Sequence, residues 1–328
     1  MSTLQARDAA LLICAYRLIG DGSAIDIGPS LNKPASGEFD WFHLRWDADG
    51  AEAWLHDKNI DKNVIDALLA TDTRPRTIKL GNGLLIVLRG VNMHSAASPD
   101  DMVSIRVWIS EGIVISTRKS SRNLLSVDDI RSDIANHVGP ATPSAFLVSL
   151  AERLADRIGS VVDGIDDQLT KFETGSDDMA PRELRPQLAD TRRQTASLRR
   201  YLAPQREAVS RLFSEKVEWL SDMDRLRLRE SADRTTRFVE DLDMVRERAV
   251  VVQEELLGRL SEKMDRTMYV LSIVAAIFLP LGFLTGLLGI NVGGIPGAEY
   301  TGSFVIFCLI LVILVIFQIW LFKYKKWM

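Results

Sequence analysis

The sequence predicts an α/β N-terminal cytoplasmic domain followed by a long helical stalk and two C-terminal transmembrane helices. Three observations support this. Stretches rich in Val and Ile, several with alternating apolar positions, crowd residues 1–142. From Pro143 the apolar residues instead recur every three or four positions. Between Arg266 and Lys323 the one charged residue is Glu299.

At 328 residues, 26% charged and 47% hydrophobic, the chain has the composition of a folded protein with room for two or three domains. A net charge of -4 gives no reason to expect a nucleic-acid partner. Cys14 and Cys308 are far apart, and Cys308 lies in an apolar run, so neither a disulfide framework nor a thiolate zinc cluster follows. "AALLICAYRLIG" near the N-terminus is short, contains Arg17 and lacks a small-residue cleavage site. It reads as a strand, not a signal peptide.

In residues 1–142 the candidate strands are "LLICAYRLI", "WFHLRW", "RTIKL", "LLIVLRGV", "VSIRVWI" and "IVISTR". "GNG" at 81–83 and "SEG" at 110–112 have the form of hairpin turns. "AEAWLHDKNIDKNVIDALLA" and "SVDDIRSDIANHV" are amphipathic and supply covering helices, while "SAASPDD" reads as a loop.

Residues 143–220 form a helical hairpin. Leu147, Leu150, Leu154, Ile158, Val161, Ile165 and Leu169 make one stripe, "ETGSDDMAPRE" breaks it, and a second helix begins near Leu184. Gln205 to Leu279 holds no proline and only Gly258, so a further break is placed near "LSDMDRL", where Ser221 and Asp224 have capping-box spacing. The stalk, 221–267, then carries a stripe through Val245, Ala249, Val252, Leu256, Leu260 and Met264. That stripe continues into the membrane with no turn signal. A helix of about 60 residues would reach roughly 90 Å, far beyond a bilayer. A simple coiled-coil stem for a dimer is the alternative, less favoured reading of such a stripe.

Residues 268–290 and 301–322 are uncharged runs of 23 and 22 residues, each long enough to span. Arg259, Lys263 and Arg266 precede the first. Lys323, Lys325 and Lys326 follow the second, in the basic tail 323–328. The loop between the spans, 291–300, has no Lys or Arg, which places both termini in the cytoplasm. Tyr269, Tyr300, Trp320 and Trp327 lie near the span ends, where amphipathic rings favour the headgroups.

Two spans cannot enclose a pore, so transport requires several copies around an axis. Met268, Leu271, Ala275, Leu279, Gly282 and Gly286 share one face of the first span and run from large to small toward its outer end. Such a face suits a hydrophobic constriction gated by dewetting. It suits helix packing as well, since Gly282 and Gly286 form a small-xxx-small pair. Pro280 removes a backbone hydrogen bond one turn back and favours a kink. Asn291 is either a helix cap or, repeated around an axis, a ring of carbonyl dipoles for a hydrated cation. Glu299 is either a solvated loop residue or a negative outer mouth.

"GINVGGIPG", with the upstream "IFLPLGFLTGLLGIN", resembles the CorA superfamily of metal-ion transporters, and within it the zinc-transporting ZntB branch. "LRRYLAPQREAVSRL" and "KYKKWM" resemble further family segments. The superfamily ends its first span with Gly-Met-Asn. Gly289, Ile290 and Asn291 stand there in this chain, and that departure together with "GGIPG" points to the zinc branch.

The resemblance implies a funnel-shaped, multi-pass homopentamer in the bacterial inner membrane, with no cofactor. Asn291 would be the entrance ring, and Met268, Leu271, Ala275, Leu279 and Gly282 pore-facing positions. Gly282 replaces a threonine common in the family. The transported ion would be Zn(2+), and the family is associated with proton coupling; uptake and efflux are both compatible with the sequence, with uptake the favoured direction. An ion that passes largely hydrated is selected only weakly, so leakage of Ni(2+), Co(2+) and Cd(2+) is expected.

The metal chemistry fits a hydrated ion. No histidine lies in the spans, and His43, His56, His94 and His137 are scattered in the α/β region. Neither span contains a carboxylate, which leaves Glu299 or the cytoplasmic side for proton coupling. Glu240, Asp241, Asp243, Glu247, Glu254, Glu255, Glu262 and Asp265 along the stalk either gather cations or pair with the arginines between them. A magnesium channel and a membrane-anchored sensory or scaffold protein are the alternatives. No HExxH, phosphate-cradling glycine loop or nucleophile–base pair argues for an enzyme.

Overall fold

The computed structural model describes residues 11–29, 33–71, 73–92, 101–175, 181–290, 295, 297 and 300–325. The chain divides into two compact units, 1–253 and 254–328.

The first unit is built on a seven-stranded sheet. Its strands are β1 (Leu12–Leu18), β2 (Ala24–Asp26), β3 (Phe39–Arg45), β4 (Arg76–Leu80), β5 (Gly83–Val91), β6 (Met102–Ser110) and β7 (Ile113–Arg118). They lie in the order β2-β1-β3-β7-β6-β5-β4. Neighbours are antiparallel except β3 and β7, which run parallel. Both expected hairpins form, with Leu80 opposite Gly83 and Ser110 opposite Ile113. Gly81 takes φ +56, which a two-residue turn of this hand requires. β2 escapes sequence reading because three residues on an edge show no period.

Alternation sends successive side chains to opposite faces of this sheet. Phe42, Leu44, Leu85 and Ile115 pack with the helices α1 (Ala51–Asp57) and α2 (Lys62–Leu69). Trp41, Ile86, Ile105 and Val114 point the other way and join a core with α3 (Leu125–Ala135) and the long helices. The segment "AEAWLHDKNIDKNVIDALLA" is thus two helices. Asn59 turns left-handed at φ 54, and the Asp61 carboxylate caps α2 by accepting from the Asn63 N–H at 2.8 Å. Of "SAASPDD", only Asp101 lies within the described residues.

The long helices are α4 (Pro143–Gly175), α5 (Pro181–Ser214) and α6 (Asp222–Leu288). α4 buries Leu147, Leu150, Leu154, Ile158, Ile165 and Leu169, with Val162 rather than Val161 completing the stripe. Phe146, Leu150 and Leu154 belong to the same core as the strands, so the helices expected as a separate hairpin at 143–220 share the core of the sheet. α5 is fastened to the sheet by Gln205. Its Oε1 accepts from the Arg89 N–H at 2.7 Å, and its Nε2 donates to the Arg89 carbonyl at 3.1 Å. The pairing of β4 with β5 reaches Val87, two residues short of Arg89.

Ser221 precedes α6 and accepts from the Asp224 N–H at 3.1 Å, while the Asp224 carboxylate takes the hydroxyls of Ser221 and Ser144. Val245, Ala249 and Val252 of α6 are buried. Arg248 binds Asp166 and Glu173 of α4, which draws the Glu173 carboxyl below its ordinary range. α6 itself continues without interruption through Met268 to Leu288. In the second unit, Met264 and Met268 are exposed, so the stripe read from the sequence changes character along the helix.

Candidate functional site

The second unit contains the outer part of α6 and α7 (Ser303–Tyr324), both long and apolar enough to cross a membrane. A buried core helix passes the same test of length and composition. Here the apolar windows are 0% and 6% buried in the single chain, so neither helix serves as a core helix of a soluble fold.

On α6, Ile273, Ile277, Leu281 and Leu284 are partly covered. Half a turn away, Met268, Leu271 and Leu279 are exposed by 63%, 68% and 73%, and Ala275, Gly282 and Gly286 are exposed with them. Tyr269, Val274, Phe278, Phe283 and Leu287 are exposed as well, so within one chain most of the outer α6 surface, the size-graded face included, is uncovered. A Cβ at Gly282 or Gly286 would meet nothing within 4 Å, so the small pair is not required for any helix approach inside the chain. Gly289 differs. Its N–H caps the helix by donating to the Thr285 carbonyl at 2.9 Å, and a Cβ there would sit 2.8 Å from that oxygen.

Ile290 is 49% exposed just beyond α6. Asn291 and Glu299 lie outside the described residues. Gly297 has φ +84, and its carbonyl accepts from the Tyr300 N–H at 3.1 Å and from the Ser303 hydroxyl at 2.5 Å. That turn feeds α7.

Sequence reading missed Gln318. It is buried on α7, and its Nε2 donates to the Ala276 carbonyl of α6 at 3.3 Å. A carboxamide within an apolar span is the signal that would have found it.

Among the described residues, no group of three or more His, Cys, Asp and Glu side chains converges to hold a metal ion. His43 is a core residue. Burial, aided by the charges of Arg118 and Arg131, lowers its pKa to about 3, and its Nδ1 sits 2.8 Å from the Ser116 hydroxyl. His56 is exposed beside Glu52, His137 adopts φ 59 at the end of α3, and His94 lies outside the described residues. Burial likewise pushes the Cys14 thiol up to about 12, away from thiolate chemistry. Along α6, Asp243 pairs with Arg199, Glu247 with Arg246 and Glu255 with Arg259. Burial, then Asp163, Asp166 and Glu240, raise the Asp241 pKa.

The family described as CorA-like Mg2+ transporter protein matches residues 36–325. The chain belongs to this CorA-like family. It is similar to the zinc transport protein ZntB of Yersinia enterocolitica, with 36% identity over 328 residues covering 99% of this chain and 98% of that one. It is also similar to the divalent cation transporter CmaX of Pseudomonas aeruginosa, with 40% identity over 335 residues and full coverage of both. The solved structure of full-length CmaX superposes with a TM-score of 0.83 at 40% identity, covering 97% of this chain and 98% of that one. The CorA magnesium transporter of Methanocaldococcus jannaschii superposes with a TM-score of 0.81 over 96% of this chain and 99% of its own, and at 15% identity it speaks to the fold alone. The CorA-like fold is therefore an N-terminal α/β unit, a long helix and two C-terminal candidate spans in this chain too.

Proposed function

We propose that this protein carries divalent cations, zinc foremost, across the bacterial inner membrane as a homopentamer with both termini in the cytoplasm. The similarity to ZntB and CmaX along nearly the whole chain supports the cargo. The observation that carries the mechanism is the uncovered face of α6. Met268, Leu271, Ala275, Leu279, Gly282 and Gly286 lie half a turn from the partly covered Ile273, Ile277, Leu281 and Leu284 and are exposed in the single chain. Five such faces around an axis make a narrow apolar tube that widens outward, and an apolar constriction conducts only when wetted. Asn291 from each subunit then offers a ring of carboxamide oxygens to a hydrated cation, and Glu299 makes the outer mouth negative. No dehydrated His or Cys site is involved, so nickel, cobalt and cadmium leak through. Influx is linked to protons.

Purified protein in liposomes holding a zinc-sensitive dye tests this, with magnesium influx recorded in parallel. Zinc influx should rise with an inward proton gradient and fall by about tenfold in Asn291→Ala, the equivalent of ~1.4 kcal/mol at the entrance. Magnesium flux indifferent to the gradient would make the protein a magnesium channel, and no flux of either ion would leave only an anchor. Glu299→Gln with an unchanged pH dependence would remove Glu299 from proton coupling.

A further inference from the structure

Pro280 lies within α6 and has no N–H, so the carbonyl four residues earlier, that of Ala276, loses its helical partner. In hydrocarbon an unpaired carbonyl is costly, and a neighbouring helix must satisfy it. Gln318 does so, its Nε2 donating to that carbonyl at 3.3 Å across 42 residues of chain. The amide orientation is dictated by the contact, because the reversed carboxamide would set two oxygens face to face. Gln318 is buried, and its Oε1 has no hydrogen-bond partner among the described residues. A half-satisfied carboxamide in an apolar span weakens packing, so packing alone does not account for it. Just beyond Pro280 the spans part around a cleft of about 480 Å³, with Leu281, Gly282 and Thr285 on one wall and Leu311, Val312 and Val315 on the other. The segment past the proline thus has room to swing.

We propose that Gln318 is a positioning residue for the pore helix. It replaces the N–H that Pro280 lacks and so sets the angle at which residues 281–288 leave the inner part of α6. This rests on the transport reading above. The hinge sits between Leu279 and Gly282 on the uncovered face, so it governs the width of the apolar tube and not the binding of the ion at the entrance.

The test is a double-mutant cycle on the full chain, comparing wild type, Gln318→Leu, Pro280→Ala and the double variant. Zinc influx into liposomes is measured against zinc concentration, and the thermal midpoint is measured in parallel. Gln318→Leu should lower maximal influx about threefold or more while the half-saturating concentration stays within about twofold. The double variant should match Pro280→Ala in both influx and midpoint, because the restored N–H bonds Ala276 directly. Unchanged influx in Gln318→Leu, or an equal loss in both backgrounds, overturns the proposal. Should Gln318→Leu fail to fold, rescue by Pro280→Ala supports the link and failure of both overturns it. If wild type moves no ion, the transport role falls with that reading, while the cycle in midpoints still judges the link between Pro280 and Gln318.

Discussion

Two glutamines, Gln205 on α5 and Gln318 on α7, each bond to the backbone of a neighbouring element. Gln205 sits beside β5, and both polar atoms of its carboxamide are used on the Arg89 backbone. Gln318 sits where Pro280 breaks the helical ladder, and one atom is used while the other has no hydrogen-bond partner among the described residues. The first region is closed on itself, with its core sealed within one chain. The second exposes large apolar side chains, and the Gln318 carboxamide ties α7 to the Ala276 carbonyl of α6. The difference teaches that stability should be read in the first unit and flux in the second.

The comparison breaks most visibly at the core. Phe146 is fully buried against Trp41, ring centroids 4.9 Å apart, and Phe146→Ala should cost about 3–5 kcal/mol in denaturant unfolding. The protein that remains folded should transport at the wild-type rate. A loss of flux per folded molecule would show that the two units are not separable in this way.

A smaller effect belongs to Gln205. Gln205→Leu removes both bonds to the Arg89 backbone and should cost about 2–3 kcal/mol. If unfolding is unchanged, water replaces the carboxamide and the region is less closed than its contacts imply.

His43 sharpens the same point through pH. Its folded pKa of about 3 lies below the ordinary value, so the neutral, buried form supports the fold fully above about pH 6.5. As pH falls from there toward 3 the unfolded chain takes up a proton that the folded one refuses, and stability drops, by about 2 kcal/mol at pH 5. His43→Gln should abolish that slope in unfolding titrations.

The smallest expected effect on stability lies on the open face. Leu279 is 73% exposed, and Leu279→Ala should stay within about 0.5 kcal/mol of wild type while its zinc flux changes. A large loss of stability there would identify the face as packing surface instead of pore.

Much of this architecture was legible in residues. Six strands announced themselves through Val and Ile in alternation, and Ser221 with Asp224 marked the start of α6. The divide between α1 and α2 was also written in the sequence, as Asn59 at a left-handed position and Asp61 at a cap, but an amphipathic stripe running across it concealed the break. For the candidate site, helical spacing was enough to group Met268, Leu271, Ala275, Leu279, Gly282 and Gly286, because residues three and four apart share a face whatever surrounds them. Which way that face points was not available from spacing, since it depends on where α7 lies.

The sequence by itself determined the local quantities. These are the length and lack of charge of the two spans, the period of each element, and the missing N–H at Pro280. Each depends on neighbours along the chain. Only the tertiary structure decided that β3 and β7 run side by side in parallel, that Gln205 meets a backbone 116 residues away and that Gln318 meets one 42 residues away. Those partners are brought together by the burial of side chains from many elements at once, and no short window of sequence contains that sum.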